Sequence, residues 1–371
     1  MQNKKSILTR VFVKLLWTTK KMAPKKYHYI FYYYIDFLEQ KHLLSCNKNI
    51  FCLSKKMLPR DYLSFDLKKY HYKEYIRSFY NIKRSSLNGD ANNILIDKLL
   101  FENKMNPIVS KEKNYRMIES MGIIKSNKIT PLNNSDISDS LDSIKSVLNN
   151  FDLILKPRTG AKGKGILLLQ RKFNEELYLI NGSFISWDSL LALLSRLDNY
   201  LIQRRFEQEG FSKDYYPKTL NTLRVATMID PENNHPFIAY ALHRFGSSIS
   251  GYTDNSNQGG ISAEIDIESG IMGTGKTVSS GKTIEYIKHP DSNIRIYETK
   301  VPFWNECKNG LLKIATNFMD LKYVGWDVVL SNDQFFILEG NNGPGISSVQ
   351  IHRPLNQYEH AWNFFRHYRF M

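Results

Sequence analysis

Cysteine is scarce in this sequence. The 371 residues hold three, Cys46, Cys52 and Cys307, with no C-x-x-C pair among them. That excludes a disulfide framework and makes a reducing compartment the expectation. Long apolar runs are missing too. The aromatic stretch from Tyr27 to Leu38, YHYIFYYYIDFL, is too short and too polar to span a membrane. No secretory signal is expected, because Lys14 interrupts the first apolar run and no small-residue cleavage site follows. Acidic residues are absent before Asp36. Organelle transit peptides are also acid-poor, but this start is rich in Lys and Tyr rather than in Arg and Ser. The expected location is the cytoplasm, with the inner face of the membrane as a peripheral site.

Hydrophobic residues make up 42% of the chain, enough for a sizeable core, and the length suggests two or three structural units. The net charge of +15 is unevenly placed. Residues 1–90 hold 19 Lys and Arg against 6 Asp and Glu, a difference of +13, and the remainder holds 32 against 30. A nucleic-acid groove running over the whole protein is therefore not expected. Within the basic part, Ile7, Leu8, Val11, Phe12, Leu15 and Leu16 recur at helical spacing among Lys4, Lys5, Arg10, Lys14, Lys20 and Lys21. Such a helix suits the surface of an anionic membrane, which residues 1–34 would touch, or it packs its apolar side on the domain. Residues 40–90 read as further short helices with Lys- and Tyr-rich faces.

The stretch from Phe151 to Gln170, FDLILKPRTGAKGKGILLLQ, reads as strand, tight loop and strand. Gly160, Gly163 and Gly165 stand between the strands, with Lys156, Arg158, Lys162 and Lys164 around them. Glycines let the backbone approach a ligand closely and turn several N–H groups into one concavity, which suits phosphate oxygens. Lys156, at the end of the first strand, adds a point charge. A plain basic hairpin turn is the alternative.

Near the other end, Tyr323 to Leu330 and Gln334 to Asn341 read as a β-hairpin around a three-residue turn, Ser331 to Asp333. In that register Asp327 faces Ile337. Glu339 and Asn341 share one face, and Asp327 is diagonal to Glu339 on it. Two carboxylates and a carboxamide would converge there, a hard oxygen set that suits Mg²⁺ completed by substrate phosphates. A shift of one residue in register would scatter the three onto a solvent face.

A glycine-rich loop after a Lys-bearing strand, followed much later by Asp on one strand and Glu-x-Asn on the next, resembles the ATP-grasp superfamily of carboxylate–amine ligases. Asn221-Thr-Leu-Arg-Val-Ala-Thr227, Arg244-Phe-Gly246, Asp254-Asn255, Gln258-Gly-Gly260, His289-Pro290, Val301-Pro-Phe-Trp304 and Val324-Gly-Trp-Asp327 follow one another as in its sugar-transfer-associated branch. That branch is bacterial and tends to sit with polysaccharide biosynthesis genes. The resemblance runs from about Asn92 to Pro354. It implies an α+β fold in which two subdomains sandwich ATP, preceded by a basic, mainly helical region. The expected divisions are residues 1–90, a pre-grasp lobe 91–150, a subdomain 151–210 with the phosphate loop, and a subdomain 211–371 with the metal site.

The same resemblance implies roles. Lys98, in an Asp-Lys segment, would be a second phosphate-contacting lysine beside Lys156, Gly160, Lys162, Gly163 and Gly165. The strand Tyr200 to Phe206 would be the hinge that meets adenine, with Gln203 where most relatives carry an acidic residue, Arg204 beside it and Glu207 toward the ribose. Arg224 would neutralise the γ-phosphate or acyl phosphate, with Lys156 and Arg244 as further catalytic groups. Asp327, Glu339 and Asn341 would hold Mg²⁺. Read from the residues alone, Lys98 is a snorkelling surface lysine, His243 a structural histidine, and Arg224 the partner of a structural carboxylate.

The expected chemistry is carboxylate activation by ATP and Mg²⁺, with an amine displacing phosphate to form an amide, on small-molecule or glycan-linked substrates. No protein nucleophile is needed. Two other classes stay open. One is a phosphotransferase acting on a glycan hydroxyl, and the other is a non-catalytic module that binds glycan or membrane. A decoy is present: Gly270-Ile-Met-Gly-Thr-Gly275-Lys276-Thr277 fits G-x-x-x-x-G-K-[ST], but Thr277-Val-Ser-Ser-Gly281 is a poor helix, so the segment is expected to be a turn between strands.

Overall fold

A computed structural model of the chain describes residues 16, 18–19, 28–40, 43–77, 84–160, 163–171 and 177–370. Apart from Leu16, the amphipathic segment Ile7 to Leu16 lies outside these residues, and so does Lys162. The chain forms two compact units, one of residues 1–88, 211–325 and 343–371, the other of residues 89–210 and 326–342. In chain order the strands are β1 (Tyr115–Met117), β2 (Gly122–Lys125), β3 (Lys128–Pro131), β4 (Leu153–Pro157), β5 (Leu167–Arg171), β6 (Leu177–Ile180), β7 (Ser183–Ser186), β8 (Tyr200–Arg204), β9 (Thr222–Ile229), β10 (Pro236–Phe245), β11 (Ile261–Ile265), β12 (Met272–Ser279), β13 (Lys282–Tyr286), β14 (Tyr323–Ser331) and β15 (Gln334–Asn342).

The unit of residues 89–210 and 326–342 contains a seven-stranded antiparallel sheet in the order β3-β2-β8-β4-β5-β6-β7. Leu153, Leu155, Leu169 and Ile202 from its strands meet Ile144, Val147 and Leu148 of helix Ser143–Leu148 and Leu190 and Leu194 of helix Trp187–Leu194. The helical steps of Ile137, Leu141, Ile144 and Leu148 suggest a longer helix than the one that forms. Ile137 and Leu141 are buried from an irregular segment, because Ser138 and Ser140 bond the local backbone instead of continuing a helix. Ser186 caps the second helix by accepting from the Ser189 amide. In the same unit β15 runs parallel to β1, with Tyr115 opposite Phe335 and Met117 opposite Ile337.

The other unit carries antiparallel strands in the order β9-β10-β11-β12-β13. Ala226 and Met228 of β9 and Tyr240 and Leu242 of β10 share a core with Phe364 and Phe365 of helix Glu359–His367. Helices His28–Gln40, Cys46–Ser54 and Pro59–Ser64 form a smaller core around Cys52, Met57 and Phe65. This helical group rests on the β12–β13 turn. A Cβ on Gly281 would lie 2.8 Å from Leu43 and 3.1 Å from Leu63, and Thr283 Oγ1 donates to the Ser64 carbonyl at 3.2 Å. The Gly270–Thr277 segment is mostly strand rather than turn. The turn falls before it, at Ile267 to Ser269; β12 then pairs with β11 and β13, and Lys276 is ion-paired to Glu285 at 2.8 Å. Without a helix after it, the segment cannot form a phosphate-binding loop of the Walker type. None of the three cysteines is in a disulfide, and no helix among the described residues is long and apolar enough to cross a membrane.

Candidate functional site

Strand β4 alternates. Leu153 and Leu155 point into the core and are fully buried, so Lys156 points to the opposite face. That face is covered as well, and Lys156 is only 8% exposed. Burial pulls its ammonium down from 10.5 to about 8. Glu339 and Glu102 oppose the fall, and Lys98 adds to it. Lys98 is shifted down in the same way, by burial first, with Glu339 and Asp97 opposing. Two lysines and Glu339 therefore form one electrostatic cluster. Sequence spacing did not reveal this pairing, because Glu339 is far from both lysines along the chain.

Lys98 begins helix Lys98–Val109, which packs against the glycine loop. Its amide donates to the Arg158 carbonyl and its Nζ to the Gly160 carbonyl, both at 3.0 Å. Asp97 caps the helix by accepting from the Leu99 and Leu100 amides. The same carboxylate accepts from Arg158 Nε at 2.8 and 2.9 Å and pairs with its Nη2 at 2.7 Å. Burial alone would raise the Asp97 carboxyl, but Arg158 and the two amides hold it below the usual range. Arg158 is thus the loop's anchor. In the loop itself Gly160 has φ +127° and Gly163 φ +67°, and a Cβ on either would meet no atom within 4 Å. Their backbone conformation, rather than crowding, calls for glycine.

Asp327 on β14 is 3% exposed, and Asn341 Nδ2 on β15 donates to its Oδ2 at 3.4 Å. Two residues separate the strands, Asn332 and Asp333, instead of the expected three, because Ser331 belongs to β14. Asn332 takes the left-handed φ of +51° that a tight turn needs, and Ser331 Oγ accepts from the Glu209 amide at 2.9 Å. Asp327 and Asn341 nevertheless share a face. Gly340 sits between Glu339 and Asn341, where a Cβ would lie 2.8 Å from Leu95 Cδ2 and 2.8 Å from Phe101 Cε2. This close approach sets β15 against the helices that carry Lys98. The donor set of two carboxylates and an amide is chemically suited to Mg²⁺. No group of three or more His, Cys, Asp or Glu side chains arranged for a metal occurs among the described residues.

Gln203 on β8 is buried. Its Nε2 donates to the Ile118 carbonyl at 2.9 Å and to Ser120 Oγ at 3.3 Å. Ser120 in turn gives its amide and hydroxyl to Glu102, at 2.8 and 2.7 Å. Gln203 therefore ties β8 to helix Lys98–Val109, with its amide hydrogens used inside the protein. Arg204 and Glu207 line a cleft of about 890 Å³ that also includes Asp136, Phe151, Asp152 and Arg171. Arg204 pairs with Asp136 at 3.1 Å and Arg205 with Asp152 at 2.9 Å, so much of the cleft's charge is internally balanced. Lys98, Lys156, Asp327, Glu339 and Asn341 do not line it. The lysine cluster is the better chemical candidate, because its shifted ammonium groups answer an anion and the cleft's ion pairs do not.

Arg224 and Arg244 belong to the other unit. Arg224 is half-buried on β9, opposite Leu242. Arg244 faces Thr222 across β9 and β10 and donates to its Oγ1 from Nε at 2.9 Å and from Nη2 at 2.5 Å. Asp254 Oδ2 lies 3.3 Å from Arg244 Nη2 and accepts from Thr222 Oγ1 at 2.5 Å. Thr222 is the member of this network that sequence reasoning missed. His243 is fully buried, 2.9 Å from Ser212 Oγ and stacked on Phe245, and burial pulls it down to about 3. It is a neutral core histidine.

The family model described as sugar-transfer associated ATP-grasp matches residues 83–357. Among curated proteins no significant match was found. Similar solved structures include D-alanyl-alanine synthetase A from Vibrio cholerae (11% identity, 76% of this chain and 64% of that one, TM-score 0.41). D-alanine–D-alanine ligase from Helicobacter pylori is similar too (10% identity, 74% and 59%, TM-score 0.38). So is N5-carboxyaminoimidazole synthetase from Staphylococcus aureus complexed with ADP (11% identity, 69% and 47%, TM-score 0.36). The chain spans about half the length of the synthetase structures it matches, 47% and 52% of two of them.

Proposed function

The chain belongs to the sugar-transfer associated ATP-grasp family, and on that premise we propose that it is an ATP- and Mg²⁺-dependent carboxylate–amine ligase acting on a glycan or glycan precursor. The observation that carries the proposal is the coupling of Lys98, Lys156 and Glu339 beside the glycine loop. Two desolvated ammonium groups attract phosphate oxygens strongly, and Glu339 keeps them protonated. The amides of Gly160, Gly163 and Gly165 would complete the phosphate cradle. Asp327, Glu339 and Asn341 are the residues that would hold Mg²⁺. The ion, when bound, neutralises phosphate charge and polarises the γ-phosphoryl group.

In the proposed reaction a substrate carboxylate oxygen attacks the γ-phosphorus, the bond to the β–γ bridging oxygen breaks, and ADP leaves. An amine then attacks the acyl-phosphate carbonyl carbon, inorganic phosphate leaves, and the amine loses a proton. Lys156 and Lys98 provide fixed positive charge while negative charge moves onto the leaving oxygens. The family reading also gives Arg224 and Arg244 a charge-neutralising role. The Arg244 guanidinium, held by Thr222 and Asp254, has the fixed orientation that such a role needs.

The test is calorimetry of MgATP binding to wild type and Glu339→Ala, followed by a phosphate-release screen over amino acids and amino sugars. Binding that weakens at least tenfold in the variant, with phosphate release that depends on both a carboxylate and an amine, supports the ligase. Label from the γ-phosphate kept on a hydroxyl acceptor makes the protein a phosphotransferase instead. A folded wild type that binds no ATP ends both readings.

A further inference from the structure

Helices His28–Gln40 and Cys46–Ser54 meet along an apolar groove of about 300 Å³, lined by Tyr33, Phe37, Leu44, Ile50 and Leu53 among others. Around it the side chains that ought to seek cover do not find it. Ile30 and Tyr34 are 49% and 53% exposed on the first helix, and Ile50 and Leu53 are 60% and 53% exposed on the second. Their spacings, four and three residues, put each pair on one stripe of its helix. The helical group does not lack a core. Its inward side chains already pack around Cys52, Met57 and Phe65. The exposed stripe is therefore additional to what folding uses.

Charge gives the stripe a preferred partner. Residues 1–90 carry a difference of +13. Lys48 and Lys56 are exposed and Lys55 is half-buried. Lys48 and Lys55 lie on the flank of the second helix away from Ile50, over the Tyr62 and Tyr72 rings at 5.8 and 5.4 Å. From residue 28 to 61 the carboxylates with described side chains are Asp36 and Asp61, and both are buried. Asp36 is tied to Arg60, whose amide donates to its Oδ2 at 2.8 Å. The described surface of this helix pair thus shows apolar side chains and ammonium groups with no exposed carboxylate. An apolar stripe with cations on its polar flank is what a helix lying in the plane of an anionic bilayer presents.

We propose that helices His28–Gln40 and Cys46–Ser54 form a peripheral docking face for an anionic phospholipid bilayer. Ile30, Tyr34, Ile50 and Leu53 enter the boundary between headgroups and acyl chains, and the net positive charge of residues 1–90 draws this face to an anionic surface. The proposal does not depend on the ligase reading.

The test is co-sedimentation of the full chain with vesicles of phosphatidylcholine alone and of phosphatidylcholine containing phosphatidylglycerol. The expected result is binding about tenfold or more tighter to the anionic vesicles, lost at high salt. Ile50→Asp with Leu53→Asp is expected to weaken it about tenfold, and Phe184→Asp, at a 62% exposed position of the other unit, to leave it unchanged. Tyr34→Trp supplies a second readout that needs no destabilising change, since its emission should shift to the blue on anionic vesicles. Failure of the wild type to bind anionic vesicles overturns the proposal. So does binding that survives the double substitution, which would place the contact elsewhere on the chain. So does a concentration-dependent dimer abolished by the double substitution, which would make a second copy the occupant.

Discussion

Replacing Lys156 by methionine tests the physical claim on which the site rests. Lys156 is 8% exposed, and burial pulls its ammonium from 10.5 to about 8, net of Glu339, Lys98 and Glu102. That fall corresponds to about 3 kcal/mol by which the folded state disfavours the charged form at pH 7. Because the folded value lies below the unfolded one, the unfolded chain binds more protons between pH 8 and 10.5. Wild-type stability therefore rises with pH across that window, and the penalty is complete below it. Methionine keeps most of the volume and removes the charge. Lys156→Met is expected to be more stable than wild type by about 3 kcal/mol at pH 7, with the gain shrinking toward zero near pH 10.5. Urea unfolding of both proteins at pH 7 and pH 10 measures it. The variant should at the same time lose most MgATP affinity in calorimetry. A residue kept against its own stability cost is the mark of a functional site. If Lys156→Met is no more stable at pH 7, or if its gain does not depend on pH, the ammonium is not held at a burial cost and the reasoning fails.

Other consequences can be measured independently. Wild-type affinity for MgATP should fall as pH rises through about 8, the range in which Lys156 loses its proton, and binding near pH 8.5 should take up protons, read by calorimetry in buffers of different ionisation enthalpy. Lys98→Ala removes a like charge, so the fall should move to higher pH, visible in the same titrations. Gly340→Ala puts a Cβ 2.8 Å from Leu95 and from Phe101, so chemical denaturation should show a loss of about 1–3 kcal/mol. Asp61 is pushed up from 3.8 to about 7 by burial first and Asp36 next, against Arg60, the Leu58 backbone and Ser347. Its folded value lies above the unfolded one, so stability is fullest below pH 3.8 and is lost as pH rises to about 7. Asp61→Asn should be more stable by about 4 kcal/mol at pH 8 and close to wild type at pH 4, read by thermal or urea unfolding.

What the sequence made legible was local. The glycine loop after Lys156, the apolar alternation of Leu153 and Leu155, and the spacing of Glu339 and Asn341 all follow from periods of two and from residues that only a turn needs. The ordered motifs from Asn221 to Asp327 carried the family. What it hid was long-range. Arg158 looked like one more basic residue near the loop, yet its fork grips Asp97, 61 residues away. Gln203 stood where an adenine contact was expected, and nothing in the sequence signalled that its amide reaches Ile118 and Ser120. Periodicity tells which face a side chain takes. It does not tell which distant element lies against that face.

The hairpin shows the limit most clearly, because the expected turn length failed while Asp327 and Asn341 still meet. A three-residue turn was needed to set Asp327 on the face of Glu339 and Asn341, and the turn has two residues. In a regular ladder that change would move Asp327 to the other face. The hydrogen bond from Asn341 Nδ2 to Asp327 Oδ2 excludes that outcome. Asp327 and Asn341 thus come together in spite of the shorter turn. Deleting one residue of the Asn332–Asp333 turn, or inserting one, should then disturb Mg²⁺-dependent ATP binding more than it disturbs overall stability. A turn variant with normal stability and unchanged MgATP affinity in calorimetry would show that the grouping of Asp327 with Asn341 is structural.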